Sequence, residues 1–282
     1  MAKEGMSIGK ACRHAGIPRR SYYYRPTLRS ARKPDPVLEG AIKETCNARP
    51  LYGYRRIAAM VKRKGYNANR KRVRRIMKEN GLLHDAPPKR PHWQIHKGSQ
   101  IAEMPNVYWQ TDMTKIWCGA DGWGYLFNVV DTCDRAWAGY CFSVFCSTSE
   151  SLQSLESALA NRAPQTMRID GLTIGTDGGS QYTSRRFEEA LSQGCMAHKV
   201  SRKNTPEDNA VVEAFHKTVK SEYIWPYEFE NFQQAAEVIK RAFVDYNEER
   251  IHSGLGYRTP REFFAEVMGK SLNNLAMKCE QV

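Results

Sequence analysis

The chain has 282 residues, 41% of them hydrophobic and 26% charged, with a mean hydropathy of −0.63. That composition excludes a collagen-like or wholly disordered polymer. No run of about 18 apolar residues occurs and the start lacks the apolar stretch of a secretory leader, so no membrane span is expected and the compartment reads as cytoplasmic.

Lys and Arg number 43 against 30 Asp and Glu, a net charge of +13. Residues 1–100 hold 25 cations against 6 acids, net +19, whereas residues 101–282 hold 18 against 24, net −6. A basic half of this kind is the footprint of a polyanion binder, because each cation that neutralises a phosphate releases condensed counterions. The acidic half must tolerate the same polyanion, and carboxylates that hold metal ions are one reason it would. The length suggests two domains, each able to bury a core. Eight cysteines, at 12, 46, 118, 133, 141, 146, 195 and 279, include no Cys-x-x-Cys pair. They read as free thiols, with a zinc site as the less favoured alternative.

Residues 7–24 predict a short helix, a turn at Gly16 and a second helix opened by Pro18, which is helix-turn-helix spacing. Ile8, Cys12 and Ile17 would close the pair, leaving Arg13, Arg19 and Arg20 outward for phosphates or base edges; an ordinary helical hairpin fits the same pattern. After an Arg- and Pro-rich linker, a second helical unit runs from Val37 to about Leu83. In it Tyr52-Gly53-Tyr54 makes a turn, Arg55 to Lys64 forms a helix ended by Gly65, and Asn69 caps a helix that ends before Gly81. In that last helix Val73, Ile76 and Met77 form one apolar stripe, leaving Arg70, Lys71, Arg74, Arg75 and Lys78 to cover the rest. Six cations from Arg70 to Lys78 with no acid among them favour contact with nucleic acid over a merely solvated face. Arg55 and Arg56 are assigned to the same DNA-binding surface. Residues 85–101 carry Pro87, Pro88, Pro91 and Gly98 without periodicity and read as the interdomain linker.

From Val107 the pattern changes to β runs, Val107 to Ile116, Gly124 to Asp131 and Ala136 to Phe145, which predict an antiparallel meander. A helix (Glu150 to Asn161), a strand (Leu172 to Thr176), a helix (Ser184 to Ser192) and a strand (Met196 to Val200) follow. Two helices, Asp208 to Glu222 and Asn231 to Glu249, complete the pattern. This order predicts an α/β fold with a ribonuclease H-like core, a mixed five-stranded sheet with helices, behind all-α helix-turn-helix modules.

Three carboxylates stand where a purely structural core would not want them. Asp112 lies inside the first strand, Asp177 ends the fourth at Gly178-Gly179, and Glu213 lies in a helix behind Asn209. If the first and fourth strands are neighbours, Asp112 and Asp177 come together and the helix brings Glu213 across them, and their repulsion then calls for a cation. Hard oxygen ligands select Mg²⁺ or Mn²⁺, and two such ions clamp the attacking and leaving oxygens of an in-line phosphoryl displacement. Each acid also has a plain reading: Asp112 paired with Lys115, Asp177 as a turn residue, Glu213 bridged to Lys217. Helical geometry favours the sharper one, because Asn209, Glu213, His216, Lys217 and Lys220 share a face while Val212, Phe215 and Val219 pack behind it.

Between Asp177 and Glu213 lie 35 residues, and Asp112, Asp177 and Glu213 together resemble the D,D(35)E signature of retroviral integrases and insertion-sequence transposases. The surrounding words, Trp109-Gln110-Thr111-Asp112, Asp177-Gly178-Gly179-Ser180-Gln181-Tyr182-Thr183-Ser184, Thr205-Pro206-Glu207-Asp208-Asn209 and Val212-Glu213-Ala214-Phe215-His216, are similar to those of the second reading-frame product (OrfB) of bacterial insertion sequences. Asp245-Tyr246-Asn247 through Leu255 continues the likeness, and Tyr52 to Ile57 with Arg72 to Met77 resembles the family's second helix-turn-helix.

The resemblance implies a DDE transposase whose Asp112, Asp177 and Glu213 are the catalytic residues and the ligands of two Mg²⁺ ions, with Mn²⁺ as a substitute. It implies that Gln181 and Asn209 lie behind the metal ligands or touch DNA and that Lys217 and Lys220 grip terminal DNA. It implies that the N-terminal helices read terminal inverted repeats, that target DNA is a second partner, and that the enzyme works as a homo-multimer in the bacterial nucleoid. The chain has no His-His-Cys-Cys zinc module and no leucine heptad run, so an upstream-frame protein fused by frameshifting is a further implied partner. The alternative function is a DNA-binding regulator with an inactive integrase-like core. A tyrosine recombinase would need its nucleophile in Tyr22-Tyr23-Tyr24, outside the catalytic half. The expected domains are a helix-turn-helix and basic linker (1–36), a second helix-turn-helix-like domain (37–84), a linker (85–101), the catalytic core (102–265) and a C-terminal tail (266–282).

Overall fold

The computed structural model describes residues 6–24, 35–84, 101–202 and 206–279. Most of the Arg- and Pro-rich linker and nearly all of the 85–101 linker lie outside the described residues.

Two short helices, α1 (Ile8–His14) and α2 (Arg19–Tyr22), flank Gly16, whose φ of +63° suits a glycine at a helix end. Cys12 is buried between them, but Ile17 is 45% exposed and does not close the pair as expected. Its amide instead bonds back to the Cys12 carbonyl, which turns the side chain outward.

The second unit contains α3 (Pro36–Ala48), α4 (Tyr54–Arg63) and α5 (Arg70–Glu79). Asp35 caps α3, and Asn69 caps α5 by accepting from the Arg72 amide at 2.8 Å. Leu38, Ile42, Ile57, Val61, Val73, Ile76 and Met77 form its core, so the apolar stripe of α5 is buried as its spacing predicts. That core also contains Ile251, contributed from the far end of the chain. Arg49 forms a bidentate pair with Asp245 at 2.6 and 2.7 Å, and Arg63 pairs with Glu262. The helical unit is therefore docked on the C-terminal half.

The C-terminal half is built on β1 (Tyr108–Trp117), β2 (Trp123–Asp131), β3 (Trp137–Ser143), β4 (Thr173–Thr176) and β5 (Ala197–Val200), ordered β3-β2-β1-β4-β5. The first three make the expected antiparallel meander, while β4 and β5 run parallel to β1. This is the mixed five-stranded ribonuclease H-like sheet. Helices α6 (Thr148–Arg162) and α7 (Arg185–Gln193) cover one face and α8 (Ala210–Val219) and α9 (Phe232–Glu248) the other. Alternation along the strands sorts the cores: Leu126 and Val130 pack with α8 and α9, Phe127 and Val129 with α6. Gly139 permits the close approach of α6, since a Cβ there would lie 2.2 Å from the Ala158 amide nitrogen.

Two elements differ from expectation. The predicted Asp208 to Glu222 helix is three pieces, a 3₁₀ turn (Pro206–Asn209), α8 and a π turn (Lys220–Ile224). Residues 266–279 of the expected tail belong to a helix, α10 (Pro260–Cys279). Its start carries a capping box: the Glu262 amide donates to Thr259 Oγ1 at 3.2 Å and the Thr259 amide to Glu262 Oε2 at 2.9 Å. Thr259-Pro260-Arg261-Glu262 was thus a readable helix start. Among the described residues no helix is long and apolar enough to cross a membrane.

Candidate active site

Asp112 lies on the β1 face that looks toward α8, between buried Gln110 and Ile116. The parallel pairing Gln110↔Gly175, extended by two residues, brings Asp177 alongside Asp112 just past the end of β4. On the other side Asp112 is paired with Asn128 of β2. Glu213 arrives from the first turn of α8.

The Asp112 carboxyl is pushed up to about 7, chiefly by burial and then by the negative charges of Asp177 and Glu213, against the opposing Met113 amide and Lys220. Asp112 therefore feels both other acids, and β1 and β4 are neighbours in the sheet. Asp112 Oδ1 accepts from the Met113 amide at 2.8 Å. Asp177 Oδ1 accepts from the Gly179 amide at 3.0 Å, so it is also the turn residue of its plain reading. Glu213 is exposed and makes no ion pair with Lys217 among the described residues.

His216 stands behind Asp112, with Nδ1 3.5 Å from Asp112 Oδ2 and Nε2 3.0 Å from Asn128 Nδ2. Burial, reinforced by the positive charge of Lys220, depresses its pKa to about 3, so the ring is neutral. The Asn128 amide donates to the Leu126 carbonyl with one hydrogen, leaving the other for Nε2. This assigns the imidazole proton to Nδ1, facing the Asp112 carboxylate. Sequence reasoning placed His216 on the polar face of the Glu213 helix without giving it a role and missed Asn128, although Asn128 is legible as the cross-strand neighbour of Asp112 once the meander is accepted.

Gln181 lies against Asp177: a Cβ on Gly179 would sit 2.6 Å from Gln181 Nε2 and 2.8 Å from Asp177 Oδ1. Asn209 is buried at the start of α8, and its Oδ1 has no hydrogen-bond partner among the described residues. Lys217 is exposed and Lys220 half-buried on the α8 side. As a donor set, three acids with hard oxygen atoms and mutual repulsion fit a divalent cation. Among the described residues, however, no three His, Cys, Asp or Glu side chains close into a preformed ligand cluster.

The basic positions divide. Arg19, Arg20, Arg55, Arg70, Lys71, Arg74 and Lys78 are exposed, with Arg70 over the Tyr257 ring and Arg74 over Tyr54. Arg75 is half-buried beside Glu79. Arg56 turns inward: it stacks on Tyr52 at 5.1 Å and reaches Glu222 Oε1 at 3.4 Å. A carboxylate 166 residues away, invisible in local spacing, draws it there. Among the described residues the cysteines are free thiols, as read.

Residues 102–206 and 194–260 match the family described as Integrase core domain, and residues 34–90 match HTH-like domain. The transposase for insertion sequence element IS904 of Lactococcus lactis subsp. lactis is 33% identical over 224 residues, which cover 75% of this chain and 87% of that protein. Transposase InsD for insertion element IS2A/D/F/H/I/K of Escherichia coli is 31% identical over 77% of this chain and 74% of its own length. The simian T-cell lymphotropic virus intasome, determined with PP2A regulatory subunit B56 gamma, shares the fold at a TM-score of 0.51 and 19% identity, covering 79% of this chain and 74% of that one. With a third of its residues shared with an insertion-sequence transposase over three-quarters of its length, and an integrase core behind an HTH-like domain, the chain belongs to the insertion-sequence transposase family.

Proposed function

We propose that this transposase binds the terminal inverted repeats of its element and cleaves and joins DNA strands by direct in-line phosphoryl transfer, with Asp112, Asp177 and Glu213 as its catalytic residues. The observation that carries this reading is the half-buried Asp112 carboxyl on β1, raised chiefly by burial and further by the charges of two acids delivered from separate elements, Asp177 past the end of β4 and Glu213 in the first turn of α8. These three residues would hold two Mg²⁺ ions, with Mn²⁺ able to substitute, and the ions would supply charge neutralisation at the attacking and leaving oxygens.

The chain's own groups do the rest. Gln110 holds α8 against β1, and neutral His216 orients Asp112. Gln181 and Asn209 face the DNA or its ions, and Lys217 and Lys220 neutralise terminal phosphates. The exposed cations of α5, with Arg19, Arg20 and Arg55, hold the repeat. Carboxylates committed to cations are poor attackers, so water opens the first phosphodiester and frees a 3′-OH. That hydroxyl attacks the next phosphate, one ester forming as another breaks, with no outside energy source. The working complex is a homo-multimer on terminal and target DNA, with an upstream-frame segment joined by frameshifting.

The test is a pre-cut end incubated with target DNA and Mg²⁺. A 3′-OH end is joined with inversion at phosphorus and a 3′-deoxy end is inert. Retention in a single step, or a protein–DNA adduct surviving denaturation, contradicts the mechanism; DNA binding without any cleavage supports the regulator instead.

A further inference from the structure

A cleft of about 650 Å³ opens where the β1–β2 hairpin meets the π turn that follows α8. Trp117, Trp123, Trp225 and Tyr227 line it and are 55%, 51%, 68% and 53% exposed. Four large rings left in water around one cleft are costly unless something covers them. Trp117 and Trp123 are opposed across the hairpin, with ring centroids 5.2 Å apart and planes at 73°, so each ring keeps a face open.

The rim is cationic. Lys115 and Lys220 line the cleft against one carboxylate, Glu228, and Lys220 acts electrostatically on Asp112. Ile116 of the lining follows Asp112 on the same face of β1 and Lys220 follows Glu213 along the helical run, so the cleft lies further along the two elements that carry those acids. Stacking rings combined with ammonium groups are the recognition chemistry of an unpaired nucleic-acid strand: every base offers a π face, and the lysines meet its phosphates. A protein partner would want apolar complementarity without phosphate-seeking cations on the rim.

We propose that this cleft is a stacking site for unpaired nucleotides of the DNA strand next to the scissile phosphate, held on Trp225 and the Trp117–Trp123 pair. The inference rests on the transposase reading for its biological meaning but not for its measurement. Bases splayed into the cleft give the carboxylates access to a phosphodiester that duplex pairing would otherwise hold in the helix.

The test uses the full chain in EDTA, so that no cleavage occurs, with a 12-nucleotide oligo(dT) as probe and tryptophan fluorescence as readout. Oligo(dT) is expected to quench the emission. Trp225→Ala or Trp117→Ala is expected to weaken its binding by about 5- to 100-fold, while Trp225→Phe, which keeps a ring, stays near wild type. Equal affinity of the wild type and both alanine variants overturns the proposal. So does a fall in oligomeric state on sedimentation of Trp225→Ala with oligo(dT) affinity unchanged, which assigns the surface to a second copy. If oligo(dT) binds through the tryptophans but element-end DNA is never cut with Mg²⁺, the transposase reading fails and the stacking site stands.

Discussion

Gln110 ties the first strand to the catalytic helix through both ends of one amide: its Nε2 donates to the Asp208 carbonyl at 2.6 Å and its Oε1 accepts from the Val212 amide at 3.1 Å. Both bonds are buried, and Val212 adjoins Glu213. The distance between Asp112 and Glu213 is thus set by a side chain two residues before Asp112 on the same strand face. Gln110→Ala leaves two buried backbone groups unpaired and should cost about 2–4 kcal/mol, with strand cleavage falling steeply. An unchanged urea midpoint together with unchanged cleavage would contradict this.

Neutralising any of the three proposed catalytic acids should separate chemistry from binding. Asp112→Asn, Asp177→Asn and Glu213→Gln are each expected to abolish Mg²⁺-dependent cleavage while element-end affinity by gel shift stays near wild type. Asp208→Asn is the milder control, since that carboxylate is held low by hydrogen bonds from Arg202. Substantial nicking by Asp177→Asn would remove it from the site.

The cation-free protein bears the repulsion at Asp112. A folded carboxyl pushed up to about 7, mainly by burial, opposes folding once it must ionise. Asp112→Asn should therefore melt at a higher temperature than wild type in EDTA at pH 8. A lower melting temperature there would mean that the carboxylate stabilises the fold.

Arg250 is 2% exposed and forms a bidentate pair with Glu222 at 2.7 and 2.8 Å, and Arg56 adds a longer contact from the helical unit. Glu222→Gln leaves a buried guanidinium uncompensated and should cost about 3–5 kcal/mol. Arg56→Ala should cost about 1 kcal/mol and change DNA affinity little, whereas Arg74→Ala should reduce affinity and lower the salt slope by about one. Equal losses of DNA affinity in the two variants would return Arg56 to the DNA surface.

Stability should also fall in acid through Asp245. Burial pushes its pKa up, but hydrogen bonds from Arg49 and Tyr223 outweigh that and hold it below its ordinary 3.8. The folded state then binds fewer protons than the unfolded one, so the contribution is complete above about pH 5 and is lost as pH drops through the lower folded value. Asp245→Asn should flatten the decline in urea midpoint between pH 5 and pH 3; an unaltered slope argues against the linkage.

Local pattern and charge placed nearly every element of this protein. The stripe of α5, the cap at Asn69, the meander and the strand–helix alternation are written in residues a few positions apart, and that is the range over which caps and hydrophobic periodicity act. The placement of the three acids, inside the first strand, at the end of the fourth and on the polar face of the helix, was legible for the same reason. Tertiary structure decided what depends on partners distant in sequence. Gln110 is an ordinary polar strand residue until α8 lies across it, and Arg56 belongs to a basic face until Glu222 draws it inward. Ile251 fills a core that begins at Leu38, and the raised Asp112 carboxyl exists only because burial and two remote charges coincide. Desolvation and Coulomb repulsion depend on separations in space, and only the folded chain sets them.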